Sequence, residues 1–558
     1  MKKVLSLGIS LVLLSFALVP TQPVYSQRRE PHSRYVDDQI LVKFKANAEP
    51  AGDDEEFVAD IFQTRGARAE PLSTTASGRQ LQLVHLNGRL SVDDAVERAN
   101  ADPRVEYAEP DYIVQASQTI PDDPYFTQMW GLSNLGCFFC PPDQPSPNID
   151  GPHAWDITTG SDDVVAVVLD TGVDIEHEDL AANVWVNPNE ISGNGIDDDG
   201  NGFVDDVNGW SFFNRTNKVF GSATEDLHGT HVAGSIGAVG NNGKGVTGVA
   251  WHVKLISLKF LGGLNGQGST GNAIKGINYA IDQRNRGVNV RVINASWGGP
   301  GESNSLRDAI TSAGNAGILF VCAAGNSGND VAEHPDFPSS YGELPTCVSV
   351  AAMNSSDNLA SFSNFGHSAV GVAAPGQSII STTPRNQFAP GGSYSSLSGT
   401  SMATPYVTGI AVLLWSHEPS LTPAEVKQRI VATSEPIPAL VSKVINSGRA
   451  NAYDALTNRI APPRSPVVLK ADFTKKVVTL DGFGFVSGST VIEVNGVALE
   501  TVDYDESYAL ANGTITRISS KLGKKPMKKI FPKGEFVLVT VFNPATGERS
   551  AQFATARF

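Results

Sequence analysis

Cysteine is scarce in this chain, four residues in 558, too few for a disulfide scaffold to replace a hydrophobic core. Positive charge is not in excess either. The 58 acidic and 42 basic side chains leave a net −16, which argues against general nucleic-acid binding, where a basic surface supplies most of the affinity. No apolar run beyond the N-terminus approaches the roughly 20 residues that cross a bilayer. Collagen-like repetition and tandem repeats are also absent. What is present points to a globular, turn-rich protein: 41 % of residues are apolar, with 54 glycines and 33 prolines, so wholesale disorder is excluded. At roughly 100 to 200 residues per domain, several structural units are expected.

Lys2 and Lys3, the apolar run 4–19, Pro20, and the small Ser26 before Gln27 read as a secretory signal peptide over 1–26. A retained N-terminal anchor is the alternative. Export permits disulfides, and local pairing is expected for Cys137 with Cys140 and for Cys322 with Cys347. Cys322 lies in the apolar stretch 317–324, so a buried free thiol stays open beside the bridge. The lone CxxC lacks a second ligand pair at zinc spacing.

Residues 27–118 show strand-like alternation at 40–45 and 81–86, a helix opened by Ser91 and closed before Pro103, and a further strand at 105–114. They form a small α+β unit. From 119 to 458 the pattern becomes apolar strands (164–169, 254–259, 290–294, 318–323, 347–352) followed by helical stretches (228–236, 270–284, 303–316, 401–417, 422–433). Strands without alternation are buried on both faces, so the fold class is α/β, a parallel sheet covered by helices. Residues 459–466 carry three prolines and read as a stiff linker. Strands at 477–480, 490–494 and 536–542, with the hairpin signal Asn495-Gly496, make 467–558 a separate β domain.

Three reactive side chains stand at element ends. Asp170 closes the run VVAVVLD, at the sheet edge where open α/β folds bind ligands. His228 opens HGTHVAG, whose small residues permit close packing, and Ser401 follows Gly399 in SGTSMATP, with Pro405 expected in the first helical turn. A serine hydroxyl needs a base to take its proton, and the base needs a carboxylate to hold its tautomer. These three side chains can fill those roles. The elbow of α/β-hydrolases fails because Ala403 stands where glycine is required, and HGTH lacks the glutamate and spacing of a zinc protease helix.

VVLDTGVD at 167–174, HGTHVAG at 228–234 and GTSMATPYVTG at 399–409 resemble the three signatures of the subtilisin-like serine proteases, in that family's order. The resemblance spans most of 119–456. It implies that His228, rather than His231, is the base, that Asp170 orients it and that Ser401 attacks the peptide carbonyl. Asn326, in AAGNSG, matches the family's oxyanion asparagine, with the Ser401 N–H as second donor. Ser296, Trp297 and Gly298, with Gly266, Gln267 and Gly268, resemble the segments that bind substrate backbone. No acid lies in those segments, so an apolar or broad preference is expected at the residue before the cut. Residues 27–118 resemble the family's inhibitory propeptide, removed between about 116 and 122. The expected product is a secreted, monomeric endopeptidase acting on peptides. The alternative is a catalytically silent adhesion protein on the same scaffold.

Calcium is expected in GIDDDGNGFVDD at 195–206. Asp197, Asp199, Asn201, the Phe203 carbonyl and Asp205 fall at calcium-loop spacing around the turn at Gly202, although Asn208 replaces the bidentate glutamate. Asp123, Asp179 and Asn242, with carbonyls of Lys244 and Val246, match a second calcium site by resemblance alone. The stretch 480–499 resembles an immunoglobulin-like IPT/TIG sandwich. Six lysines and no acid between Lys521 and Lys533 read either as a solvated loop or as a contact for a polyanionic surface.

Overall fold

The apolar run of the central strand explains the main architecture. In Gly160–Asp170, Val164, Ala166 and Val168 pack into one core while Val165, Val167 and Leu169 pack into another. A strand covered on both faces cannot show polar alternation. The computed structural model describes residues 35–45, 60–62, 68–72, 81–86, 90–112, 119–133, 147–263, 265–385, 393–460, 466–499, 502–511, 514–544, 548–550 and 552–557. The signal segment, Cys137, Cys140 and most of the 459–466 linker lie outside the described residues. Residues group into two units, Met1–Ser117 and Gln118–Phe558.

In the first unit, strands β1 (Tyr35–Phe44), β2 (Arg68–Pro71), β3 (Leu81–His85) and β4 (Val105–Tyr112) form an antiparallel sheet in the order β2-β3-β1-β4. Helix α1 (Val92–Ala101) starts where Ser91 accepts the Asp94 N–H, and it buries Val92, Ala95 and Ala99 with Ile40, Val42 and Val84 of the sheet.

In the second unit, β5 (Gly160–Asp170), β6 (Gly209–Ser211), β7 (His252–Lys259), β8 (Val290–Ala295), β9 (Leu319–Ala323), β10 (Cys347–Met353) and β11 (Val370–Pro375) run parallel in the order β11-β10-β9-β8-β5-β7-β6. Helices α2 (Leu227–Gly237), α5 (Thr400–His417) and α6 (Pro423–Ala432) contribute to one core, and α3 (Thr270–Asn285) and α4 (Asn304–Asn315) to the other. The expected parallel strands and helices lie within about two residues of these bounds, except that the strand expected at 164–169 begins four residues earlier, at Gly160.

Two expectations are corrected. Cys322 and Cys347 are free, on neighbouring parallel strands, with sulfurs 3.8 Å apart, against about 2.05 Å for a disulfide. Both are fully buried, and burial pushes the Cys322 thiol far above its ordinary pKa. Pro405 stands in the second turn of α5, because the helix begins at Thr400. A proline there removes the N–H that would bond the carbonyl four residues back. That carbonyl, on Ser401, instead accepts the Ser296 hydroxyl at 2.9 Å.

Beyond Val467 the chain forms two antiparallel sheets around their own core of Val478, Leu480, Ile492, Ile518, Val539 and Val541. Asn495 and Gly496 both take positive φ, as the sequence's hairpin signal requires. The lysine-rich stretch is not a loop: Lys524–Ile530 is helical and buries Met527.

Candidate active site

Asp170 is the last residue of β5 and is fully buried. Its Oδ1 accepts the Thr171 N–H at 2.7 Å and faces His228 Nδ1 at 2.7 Å. His228 is the second residue of α2. The helix can approach this closely because Gly229 follows: a Cβ there would stand 2.3 Å from the Gly172 carbonyl. The Gly229 N–H also donates to Thr171 Oγ1 at 3.0 Å. The imidazole is about one-third exposed. Partial burial works against its charged form, but the Asp170 charge and hydrogen bond outweigh it and raise the pKa above the ordinary histidine value.

His231 behaves differently. It is fully buried, its Nε2 lies 3.0 Å from the Ile379 carbonyl, and burial pushes its pKa down to about 4. It is a neutral structural histidine that ties α2 to the 379–395 segment.

Ser401 lies in the first turn of α5, with its Oγ donating to the Ser296 carbonyl at 3.1 Å. Among the described hydrogen bonds, none joins Ser401 to His228. The Ser296–Ser401 pair rests on buried polar groups: Thr408 Oγ1 donates to Asn294 Oδ1 at 2.9 Å, and Asn294 Nδ2 donates to Ser296 Oγ at 2.9 Å. These supports come from the core faces of β8 and α5, where no motif marks them, so sequence reasoning missed them. Asn326 follows β9, and its Oδ1 accepts the Thr400 N–H at 2.8 Å, which sets the amide's orientation. Its Nδ2 and the Ser401 N each stand 3.6 Å from the point a Cβ on Gly399 would occupy. Two N–H donors therefore border one small volume that glycine leaves open.

His228, Gly266, Gln267, Gly268, Ser296, Trp297 and Gly298 all line one cleft of about 730 Å³. The Trp297 indole donates to the Leu169 carbonyl at 3.0 Å and packs edge-on against Phe260. Its side chain thus braces the cleft wall. Sequence reasoning also missed Lys259, the last residue of β7 and fully buried. Its Nζ meets Asp226 Oδ1 at 2.5 Å and donates to the Thr171 carbonyl, so one cation joins the ends of β5, β7 and α2.

The calcium loop folds differently from its sequence spacing. Asp197 accepts the N–H groups of Asn201 and Gly202, and Asp205 those of Asn194 and Gly195. The Phe203 ring packs against Trp210 and Tyr279. The carboxylates that converge, within 4.8 Å, are Glu190, Asp199 and Asp206. Asn201 Nδ2 donates to Asp206 Oδ2 at 2.8 Å. Burial raises the pKa of Glu190 and of Asp206, and each is raised further by neighbouring carboxylates. In the second set, Asp179 accepts Asn242 Nδ2 at 2.8 Å and the Val246 N–H at 2.9 Å, and the Lys244 N–H donates to Asn242. Asp123 Oδ1 is buried without a hydrogen-bond partner, and burial pushes that carboxyl up to about 6. A hard cation among these oxygens would relieve both strains.

With this geometry in place, comparison with known proteins is informative. The profile of the Subtilase family matches residues 160–466, and that of the fervidolysin N-terminal prodomain matches residues 21–111. A thermophilic serine proteinase of Bacillus sp. (strain AK1) is 32 % identical over 464 residues, covering 81 % of this chain and 98 % of the relative. An extracellular protease of Xanthomonas campestris pv. campestris is 35 % identical over 397 residues, 67 % of this chain; the chain spans 62 % of that relative's length. A solved structure titled as proteases from Pseudoalteromonas arctica PAMC 21717 is 31 % identical, with a TM-score of 0.48, covering 61 % of this chain and 99 % of that one.

Proposed function

The chain belongs to the subtilase family and is a subtilisin-like serine endopeptidase with an N-terminal prodomain; from that premise we propose how its own residues divide the work. Ser401 is the nucleophile, His228 the base and Asp170 the group that holds the imidazole tautomer. The observation that carries this reading is the 2.7 Å contact between buried Asp170 and His228 at the rim of the Gly266–Gly268 and Ser296–Gly298 cleft. Attack requires the Ser401 hydroxyl to rotate from the Ser296 carbonyl toward His228. The tetrahedral oxyanion is then received by Asn326 Nδ2 and the Ser401 N–H. His228 returns its proton to the leaving amine, and water repeats the cycle on the acyl-enzyme. A serine-directed phosphonofluoridate is expected to label the processed protein at Ser401 alone. Peptide mapping that finds the label elsewhere, or no label on active protein, would refute the assignment.

The raised His228 pKa has a readable sign. The base must be neutral, so kcat/KM is expected to rise with pH through a value above the ordinary imidazole pKa of about 6.5. Asp170→Asn should lower that limb as well as the rate. For folding the sign is opposite: the stabilisation is full below the unfolded histidine pKa and is lost as pH rises through the folded one. A pH–rate profile on a short peptide substrate checks the first statement.

Calcium is structural in this reading. The sites are Glu190, Asp199, Asp206 and Asn201 in the first loop, in place of the full set Asp197, Asp199, Asn201, Phe203 and Asp205, and Asp123, Asp179 and Asn242 with the Lys244 and Val246 carbonyls in the second. An ion present at a hundredfold its Kd stabilises the fold by about 2.7 kcal/mol. Excess chelator should therefore lower the melting temperature and hasten autolysis while leaving the initial rate on a short peptide unchanged. Glu190→Gln should reproduce part of that loss, and Asp205→Asn should not. Unchanged melting with excess chelator would exclude a bound ion.

The prodomain is read as an inhibitor and folding aid removed after export. The family match from residue 21 overlaps the expected leader over 1–26, so leader removal would trim its first residues. Among the described residues, no helix is long and apolar enough to cross a membrane. The mature enzyme is read as a secreted monomer. Its immunoglobulin-like C-terminal domain is read as a surface-binding module. Support comes from a cleft lined by Phe473, Lys475, Lys524, Lys525, Lys528 and Arg557, among other residues, with no carboxylate among the described residues of its wall.

A further inference from the structure

Asp336 is a carboxylate without an explanation in the fold. Its Oδ1 is buried and has no hydrogen-bond partner, and the chief polar support for the carboxylate is the Gly299 backbone. Its own N–H is held by Ser340 Oγ at 3.2 Å, which fixes the backbone and leaves the carboxylate's charge uncompensated. A half-buried charge with one oxygen shut off from water is costly unless something pairs with it. Burial accordingly raises its pKa.

Its position suggests what the partner is. Two glycines leave room for the carboxylate: a Cβ on Gly298 would lie 2.3 Å from Oδ1, and a Cβ on Gly325 would lie 3.2 Å from Oδ2. Gly298 lines the cleft, and Gly325 immediately precedes Asn326. The next residue, Phe337, also lines the cleft and is clamped to Gly299 by N–H···O bonds of 2.8 and 2.9 Å in each direction. A substrate strand that pairs with Ser296–Gly298 and presents its carbonyl to Asn326 and Ser401 must send the side chain of that carbonyl's residue between the two segments. Side chains of an extended strand stand perpendicular to its hydrogen-bonding plane. Asp336, packed against Gly298 and Gly325 and next in sequence to the cleft-lining Phe337, stands behind those two segments.

We infer that Asp336 is a specificity-determining residue, making the cleft select lysine or arginine immediately before the cleaved bond. The inference rests on the endopeptidase reading above and names its substrate class. It departs from the expectation of an apolar or broad preference. That expectation considered only the matched segments, whereas the acid arrives from a loop 38 positions after Gly298.

The test uses the full chain, expressed and allowed to process, with peptide p-nitroanilides that differ only in the residue before the cut: Lys, Arg, Phe and Leu. The expected kcat/KM ratio of Lys or Arg over Leu is about 100-fold, because the ammonium or guanidinium pairs with a desolvated carboxylate. Asp336→Asn should remove most of that ratio, through loss of the Lys and Arg rates. Phosphonofluoridate titration counts the folded sites of the variant. Benzamidine should inhibit the wild type competitively, a readout that needs no variant. A wild type that labels at Ser401 but cleaves Phe or Leu as well as Lys, or a variant with an unchanged ratio, overturns the role of Asp336 alone. Failure of Ser401 to label and of every substrate to be cleaved overturns the endopeptidase reading and this inference with it.

Discussion

Replacement of Ser401 by alanine is expected to lower kcat by about 10⁶-fold, a magnitude carried over from subtilisin itself. Without Oγ no acyl-enzyme forms, and His228 has no proton to accept from the protein, so Asp170 has nothing left to assist. The three groups act as a unit, so adding His228→Ala to Ser401→Ala should cost little more. What remains is the contribution of Asn326 and of substrate positioning along Gly266–Gly268 and Ser296–Gly298. The variant should fold, because among the described residues Ser401 Oγ makes a single hydrogen bond, to the Ser296 carbonyl. It should also accumulate with its N-terminal unit attached. Active-site titration, steady-state rates and a gel of the unprocessed chain give three independent checks. Retention of more than about 1 % of wild-type turnover in a folded variant would end the assignment.

The second large effect concerns Lys259. Both Lys259 and Asp226 are wholly inaccessible to water, and their contact at 2.5 Å is supplemented by Glu225 Oε1 at 3.3 Å. Removing one partner of a buried pair leaves an uncompensated charge and typically costs about 3–5 kcal/mol. Lys259→Met is expected to lose that much stability, measured by denaturant unfolding in the Ser401→Ala background so that autolysis does not intervene. Activity should fall as well, because the same ammonium holds the carbonyl of Thr171, next to Asp170. The double variant Lys259→Met with Asp226→Leu should recover only part of the stability. Asp226 Oδ2 also accepts the N–H groups of Gly221 and Ser222, and leucine strands them. A single variant within about 1 kcal/mol of wild type would show that the pair is not the brace described.

The parts of the fold and site that were legible in the sequence share a property: their signals are contiguous. The run ending at Asp170 shows a strand buried on both faces, HGTHVAG shows a histidine at a tightly packed helix start, and GTSMATP shows a serine at another. Each is decided by neighbours within a few residues. The two cysteines show the limit of such reading. Their placement on two strands was legible, but which strands are neighbours and whether the sulfurs meet at bonding distance depend on packing, and here they stand apart on adjacent strands. The calcium loop shows another limit. The spacing pointed to Asp197, Asp199, Asn201, Phe203 and Asp205, but the fold turns Asp197 onto the N–H groups of Asn201 and Gly202 and Asp205 onto those of Asn194 and Gly195, and brings Glu190 in from outside the motif.

What this sequence determined by itself was the order of the three side chains proposed to react, the parallel α/β class of the central unit and the helix and strand that carry each of them, because local packing and hydrogen bonding leave few alternatives there. Only tertiary structure decided which carboxylates converge, that Lys259 braces the Asp170 turn, that Ser296 takes the carbonyl freed by Pro405, and that Asp336 stands behind Gly298. Gly298 and Asp336 stand 38 residues apart, Thr171 and Lys259 88, and Ser296 and Ser401 105, while Glu190 and Asp206 meet across 16. Their geometry follows from how strands and helices pack, and no pattern along the chain encodes a distance through space.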